Sequence, residues 1–208
     1  MSRALRLPPL YAIVDPLTTG RAPDALAAAL LAGGATLLQL RLKDAGAREL
    51  LAAATAIVPL ARRHGALFLV NDRPDVARAA GADGVHLGQE DLPVAAARRV
   101  LGPDAIVGVS THDLDEARAA EAAGADYIGV GPIYATDSKA GALPPRGPAL
   151  VRAVRAAVRC PLVAIGGITA ETAPEVRAAG ADAVAMIAAL VAAPDPAAAV
   201  RAVLRRLS

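Results

Sequence analysis

"AAGADYIGVG", residues 122–131, decides the fold, because close copies of it stand at "LAGGATLLQLR" (31–41), "AAGADGVHLG" (79–88) and "AAGADAVAMI" (178–187). Each copy reads as a helix end, a glycine able to take positive φ, and then an apolar strand. The same pattern, extended across the gaps, predicts eight strands near 10–14, 37–41, 67–70, 84–87, 106–109, 127–130, 162–165 and 183–187. Helical patterns lie between them at 23–32, 47–64, 93–101, 114–123, 148–158 and 172–179, with a short one near 73–80 and another at 195–207. Strands alternating with helices imply a parallel sheet. Eight such units in 208 residues predict an α/β chain folded as a single (β/α)8 TIM barrel over 1–208, at the short end of that fold's range. A doubly wound open sheet is the competing arrangement. The count of units favours the barrel, as does the lack of a dinucleotide glycine fingerprint after the first strand.

Composition narrows the partners. Hydrophobic residues make up 55% and charged ones 20%, which fits a packed globule rather than a disordered chain. Only Tyr11, Phe68, Tyr127 and Tyr134 are aromatic, too few for base-stacking platforms, and Lys and Arg are scattered. A nucleic-acid partner is therefore not expected. The formal charge of +2 and a pI near 9.0 suit a small anionic ligand instead. No run of apolar residues is long enough to span a membrane or to act as a secretory signal, so a cytoplasmic location is expected. The one cysteine, Cys160, excludes an internal disulfide and reads as a structural thiol. A homodimer is the commonest assembly for a soluble chain, and no residue pattern here decides it.

In a parallel barrel, chemistry sits at the C-terminal ends of the strands. The residues there are Asp15; Gln39, Arg41 and Lys43; Asn71 and Asp72; Gln89, Glu90 and Asp91; Ser110, Thr111 and His112; Thr136 to Lys139; Gly166 and Gly167; and the small residues after Ile187. Strand side chains alternate faces, so Gln39, Arg41 and Lys43 share one face while Leu38, Leu40 and Leu42 pack on helices. Buried cations need partners. Internal ion pairs would supply them, or a bound anion would, with Lys43 reaching a phosphate.

Asp72 and Asp91 follow strands three and four, and adjacent strands lie ~5 Å apart. Two carboxylates so close repel unless a cation sits between them or one is protonated. Mg²⁺ often takes one or two carboxylates together with phosphate oxygens and water. The competing reading makes each acid a helix cap, since Arg73-Pro74 and Leu92-Pro93 follow. "AIGGIT" (164–169) ends strand seven, where paired glycines let backbone N–H groups approach a phosphate. "GPIYATDSKAGALPPRG" (131–147) is the longest connection and reads as a lid carrying Lys139. His64 reads as a surface residue. His86 is placed in the core or toward a helix, and His112 at the mouth ahead of a helix capped by Asp113. No zinc pattern and no nucleophile–base–acid triad is present.

Taken in order, "QLRLKD", "VND", "GVHLGQEDL", "GVSTHD", "GPIYATDSK" and "AIGGIT" resemble the thiamine-phosphate synthase family, from about Tyr11 to Ala189. The resemblance implies a transferase that joins a pyrimidine methyl diphosphate to a thiazole phosphate, releasing diphosphate and making thiamine phosphate. It implies Mg²⁺ on Asp72 and Asp91. Gln39, Leu40, Arg41, Leu42, Lys43, Asn71, Ser110 and Lys139 would contact the pyrimidine diphosphate, with Lys43, Ser110 and Lys139 serving catalysis. Thr136, Asp137, Ser138, Gly167, Ile187 and Ala188 would line the thiazole-phosphate site. The family often has serine where this chain has Ala188, and "AGALPPRGP" in the lid carries extra prolines. Two alternatives stand beside this reading: a thiazole-phosphate tautomerase-like isomerase, and a barrel that binds phospholigands without turnover.

Overall fold

The computed structural model describes residues 5–16, 19–136, 138 and 143–208. Its elements run β1 (Leu10–Val14), α1 (Pro23–Ala32), β2 (Leu37–Leu40), α2 (Ala47–Arg63), β3 (Leu67–Asn71), α3 (Pro74–Ala80), β4 (Gly84–Leu87), α4 (Val94–Leu101), β5 (Ile106–Thr111), α5 (Leu114–Ala122), β6 (Tyr127–Val130), α6 (Gly147–Ala157), β7 (Leu162–Ile165), α7 (Ala173–Ala178), β8 (Ala183–Met186), α8 (Ala188–Val191) and α9 (Pro196–Leu207). All eight strands are parallel, each pairs with its sequence neighbour, and β8 closes on β1. The open-sheet alternative is thereby excluded. The short α8 is the one helix that the periodicity missed, because four residues show no helical repeat.

Alternation along each strand divides the apolar residues into two layers. Tyr11, Ile13, Leu37, Leu69, Tyr127, Val163, Ala183 and Ala185 pack inside the barrel. Their strand neighbours, such as Leu38, Leu40, Val70 and Val184, join helix residues in the larger outer core. Inside, one large ring requires a missing one. A Cβ on Gly108 would lie 2.0 Å from the Tyr127 ring, so only glycine leaves room for that tyrosine.

The repeated GAD turns lie at the opposite end from the polar rim, and their acids clasp strands together. Asp83 accepts the Phe68 N–H at 2.8 Å, Asp126 the Val107 N–H at 2.7 Å, and Asp182 the Leu162 N–H at 2.8 Å. Each acid entering an even strand thus satisfies an N–H within the first two residues of the odd strand before it. The copy at 31–41 has Thr36 at the acid's position, and its carbonyl accepts the Leu67 N–H of the next strand, as the Asp83 carbonyl accepts the Ile106 N–H. Arg98 and Arg155 ion-pair with Asp126 and Asp182 at 2.8 and 3.1 Å. Among the described residues, no helix is long and apolar enough to cross a membrane.

Candidate active site

A cavity of about 730 Å³ opens at the C-terminal ends of the strands. Gln39, Arg41 and Lys43 line it, as strand alternation requires. Leu40 and Leu42 do not: their side chains belong to the helix-facing layer, so only backbone remains to meet a ligand there. Both cations carry carboxylate partners. Arg41 ion-pairs with Asp15, and Lys43 with Asp72. The internal ion pairs and the ligand-facing placement therefore coexist, since a guanidinium or ammonium has more donors than one carboxylate uses.

The two acids are not caps. The N-cap of α3 is Arg73 and that of α4 is Pro93, neither with a side-chain cap bond. Asp72 instead lines the cavity, with its N–H donated to the His86 carbonyl at 2.7 Å. Its φ of 62° is the only positive value among described non-glycine residues. The Arg73 N–H closes a three-residue turn onto the Asn71 carbonyl at 2.8 Å. Backbone outliers of this kind gather at functional sites. Asp91 folds back to accept the Gly88 N–H at 2.6 Å and meets Asp72 side chain to side chain. Burial first, and the Asp72 carboxylate next, raise the Asp91 pKa above the ordinary carboxylate value.

Asn71, Ser110, His112, Thr136 and Ser138 also line the cavity. Ser138 donates its N–H to Thr136 Oγ1 at 3.2 Å. Asp137 and Lys139 lie outside the described residues. His112 stands at the mouth bonded to Glu116 at 2.9 Å, and Asp113 caps α5 by accepting the Glu116 N–H. Gly167, Ile187 and Ala188 form the far wall. There the glycines serve packing as well as access: a Cβ on Gly166 would meet Pro132 at 2.7 Å, and one on Gly167 would meet the Ala135 carbonyl oxygen at 2.2 Å. Both have positive φ, 103° and 61°.

His86 corrects the sequence reading. It points neither at a helix nor into apolar core but into the cavity wall. Its Nδ1 bonds the Tyr127 hydroxyl at 2.7 Å and its Nε2 bonds Ser110 Oγ at 2.8 Å. The Tyr127 hydroxyl bonds that of Tyr11 at 3.0 Å, and Gln39 Nε2 donates to Tyr11 at 2.7 Å. Strand alternation could have found this chain, because Tyr11, Gln39, His86, Ser110 and Tyr127 all occupy inward positions.

Among the described residues, no three His, Cys, Asp or Glu side chains converge as a ready metal cage. Two facing carboxylates still suit a hard divalent ion that takes its other oxygens from ligand phosphate and water. The donor set therefore fits Mg²⁺.

A closed barrel whose mouth joins two cations, an acid pair and a glycine corner defines a class: enzymes of the (β/α)8 fold that handle phosphorylated small molecules. The comparisons make the family specific. Residues 10–190 match the family model described as thiamine monophosphate synthase. The chain is 53% identical to the thiamine-phosphate synthase of Moorella thermoacetica over 92% of both chains. It also matches the bifunctional thiamine biosynthesis protein ThiM/ThiE of Symbiobacterium thermophilum at 54% identity, spanning 90% of this chain and 39% of that longer one. The structure of the thiamine phosphate pyrophosphorylase from Pyrococcus furiosus superposes with a TM-score of 0.87 at 38% identity, covering 96% of this chain and 95% of that one. The chain belongs to the thiamine monophosphate synthase family and is a transferase of thiamine biosynthesis.

Proposed function

We propose that this chain joins a pyrimidine methyl diphosphate to a thiazole phosphate, giving thiamine phosphate and free diphosphate, with Mg²⁺ held by Asp72 and Asp91. The observation that carries the metal reading is the meeting of Asp91 with Asp72 beside Lys43, of which Asp72 and Lys43 line the cavity. Bound there, Mg²⁺ supplies positive charge to the diphosphate oxygens.

The chain's own residues supply the rest. Lys43, beside Asp72 at the rim, would donate to the diphosphate as the pyrimidine carbon–oxygen bond breaks. Lys139 would add a second cation from the lid. Stabilising charge as it develops on the leaving group is the larger part of such catalysis. The ring's exocyclic amine delocalises the carbocation left at the methylene carbon. The thiazole nitrogen then attacks that carbon, so no protein nucleophile is required. Gly167 and the backbone at Ile187 and Ala188 would seat the thiazole phosphate on the far wall. Closure of the 131–147 connection would keep water from the carbocation.

Incubating both substrates with the protein, with and without Mg²⁺, and assaying thiamine phosphate tests the reading. Full turnover in EDTA would remove the metal from it. Isomerisation of the thiazole phosphate alone would favour a tautomerase, and binding with no release of diphosphate a non-catalytic barrel.

A further inference from the structure

We infer that Tyr11, Tyr127 and His86 are positioning residues that fix which end of the pyrimidine subsite donates a hydrogen bond and which accepts one. The inference rests on the proposed pyrimidine ligand and deepens it.

Gln39, Tyr11, Tyr127, His86 and Ser110 form one unbroken chain of hydrogen bonds, 2.7, 3.0, 2.7 and 2.8 Å long. It spans five strands, and the shape of the barrel serves it. Gly108 clears the space for Tyr127. The two tyrosine rings meet edge to face at 5.9 Å, and His86 stacks on Tyr127 at 5.5 Å. Tyr11 and Tyr127 are wholly buried, and burial raises both hydroxyls above their usual pKa, so both stay protonated.

Proton counting then sets the direction. An amide nitrogen only donates, and a phenol carries one proton. Gln39 donates to Tyr11, so the Tyr11 proton must go to Tyr127 and the Tyr127 proton to His86 Nδ1. His86 Nδ1 is thereby an acceptor, Nε2 carries the ring proton, and Nε2–H donates to Ser110 Oγ. Two groups at the ends are left for a ligand. Gln39 Oε1, without a protein partner among the described residues, accepts. The Ser110 hydroxyl proton, not needed by the chain, donates. Both residues line the cavity. Turning the Gln39 amide over would reverse every bond at once, so the chain has two collective states rather than five independent choices. With Gln39 Nε2 toward Tyr11, the two ends match an aminopyrimidine: its exocyclic amine would donate to Gln39 and a ring nitrogen would accept from Ser110. The oxo analogue, with a ring N–H and a carbonyl, presents the opposite polarity.

The test measures binding of the aminopyrimidine diphosphate and of its oxo analogue to the full chain and to Tyr127→Phe, which deletes one hydroxyl and keeps the rings. Nitrogen-15 NMR of the His86 ring, assigned against His86→Gln, is recorded on the same samples. The wild type should prefer the amino ring by about 100-fold or more, and Tyr127→Phe should cut that preference at least tenfold, as expected when buried polar groups lose fixed partners. His86 should show one Nε2–H tautomer in the wild type and a mixture in the variant. Tyr11→Phe repeats the test if Tyr127→Phe does not fold. An unchanged preference in the variants, or an Nδ1–H tautomer in the wild type, overturns the inference. Failure of both rings to bind would sink the proposed ligand instead, and the His86 spectrum would then decide the wiring by itself.

Discussion

Asp91 turns back within its own loop to hold the Gly88 N–H at 2.6 Å, and in that position it faces Asp72 from the neighbouring strand end. Neither acid caps the helix that follows it. Two carboxylates brought together at a partly buried rim cost stability unless something positive offsets them, and among the described residues Lys43 is the cation beside both acids.

Removing either charge should therefore separate fold from activity. Asp72→Asn and Asp91→Asn are each expected to lower kcat by about 100-fold or more, as losses of transition-state charge stabilisation do. Their melting temperatures should stay near that of the wild type. Asparagine tolerates the positive φ at position 72, so the backbone turn survives. Steady-state kinetics with circular dichroism melts distinguish the two effects. Near-normal kcat in both variants would contradict the metal site.

The glycine corner should be intolerant of a single methyl. Gly167→Ala places a Cβ against the Ala135 carbonyl and strains φ at 61°, and a loss of about 2 kcal/mol or more is expected. The same shift should raise KM for the thiazole phosphate more than KM for the pyrimidine diphosphate. Urea titration and two-substrate kinetics check both halves.

Ala188→Ser restores a hydroxyl at the first residue of α8, on the far wall. A several-fold lower KM for the thiazole phosphate is expected, the gain of about one hydrogen bond to a charged group. No change would place the phosphate elsewhere on the rim.

At the other end of the barrel, stability and catalysis should be separable in the opposite sense. Asp126→Ala leaves the Val107 N–H and the Arg98 guanidinium without their carboxylate. A loss of about 2–3 kcal/mol is expected, with KM and kcat unchanged in the folded fraction. Denaturant unfolding at constant pH measures the first, and kinetics well below the midpoint the second.

Cys160 supplies a pH test. Burial, with Glu121 and Asp126 nearby, pushes its thiol up to about 12, and Sγ donates to the Ala125 carbonyl at 3.3 Å. Iodoacetamide at pH 8 should label the native chain far more slowly than the unfolded one, since the thiolate is the reactive form. The folded pKa lies above the unfolded value, near 8.5. The stability from the neutral thiol is thus fully present below about pH 8.5 and is lost as pH rises toward 12. Cys160→Ala should flatten that alkaline decline without altering turnover. Rapid labelling of the native chain at pH 8 would contradict the burial.

The strands were legible because their signal is local. A glycine turn followed by an apolar run needs only ten neighbours to read; four copies of it placed four strands, and filling the gaps between them placed the other four and the polar rim of Gln39, Arg41, Lys43, Asp72 and Ser110. Glycine chemistry also marked the far wall, although packing against Ala135 and Pro132 was not visible in "AIGGIT". Partner choice was another matter. Whether Asp72 caps a helix or faces Asp91 depends on how two separate loops fold back over the mouth. The hydroxyls of Tyr11 and Tyr127 meet across 116 positions of sequence only because the barrel closes β8 onto β1. Periodicity fixes which face a side chain takes; the group it meets on that face is decided by closure, which brings distant strands within hydrogen-bonding range and leaves no local trace.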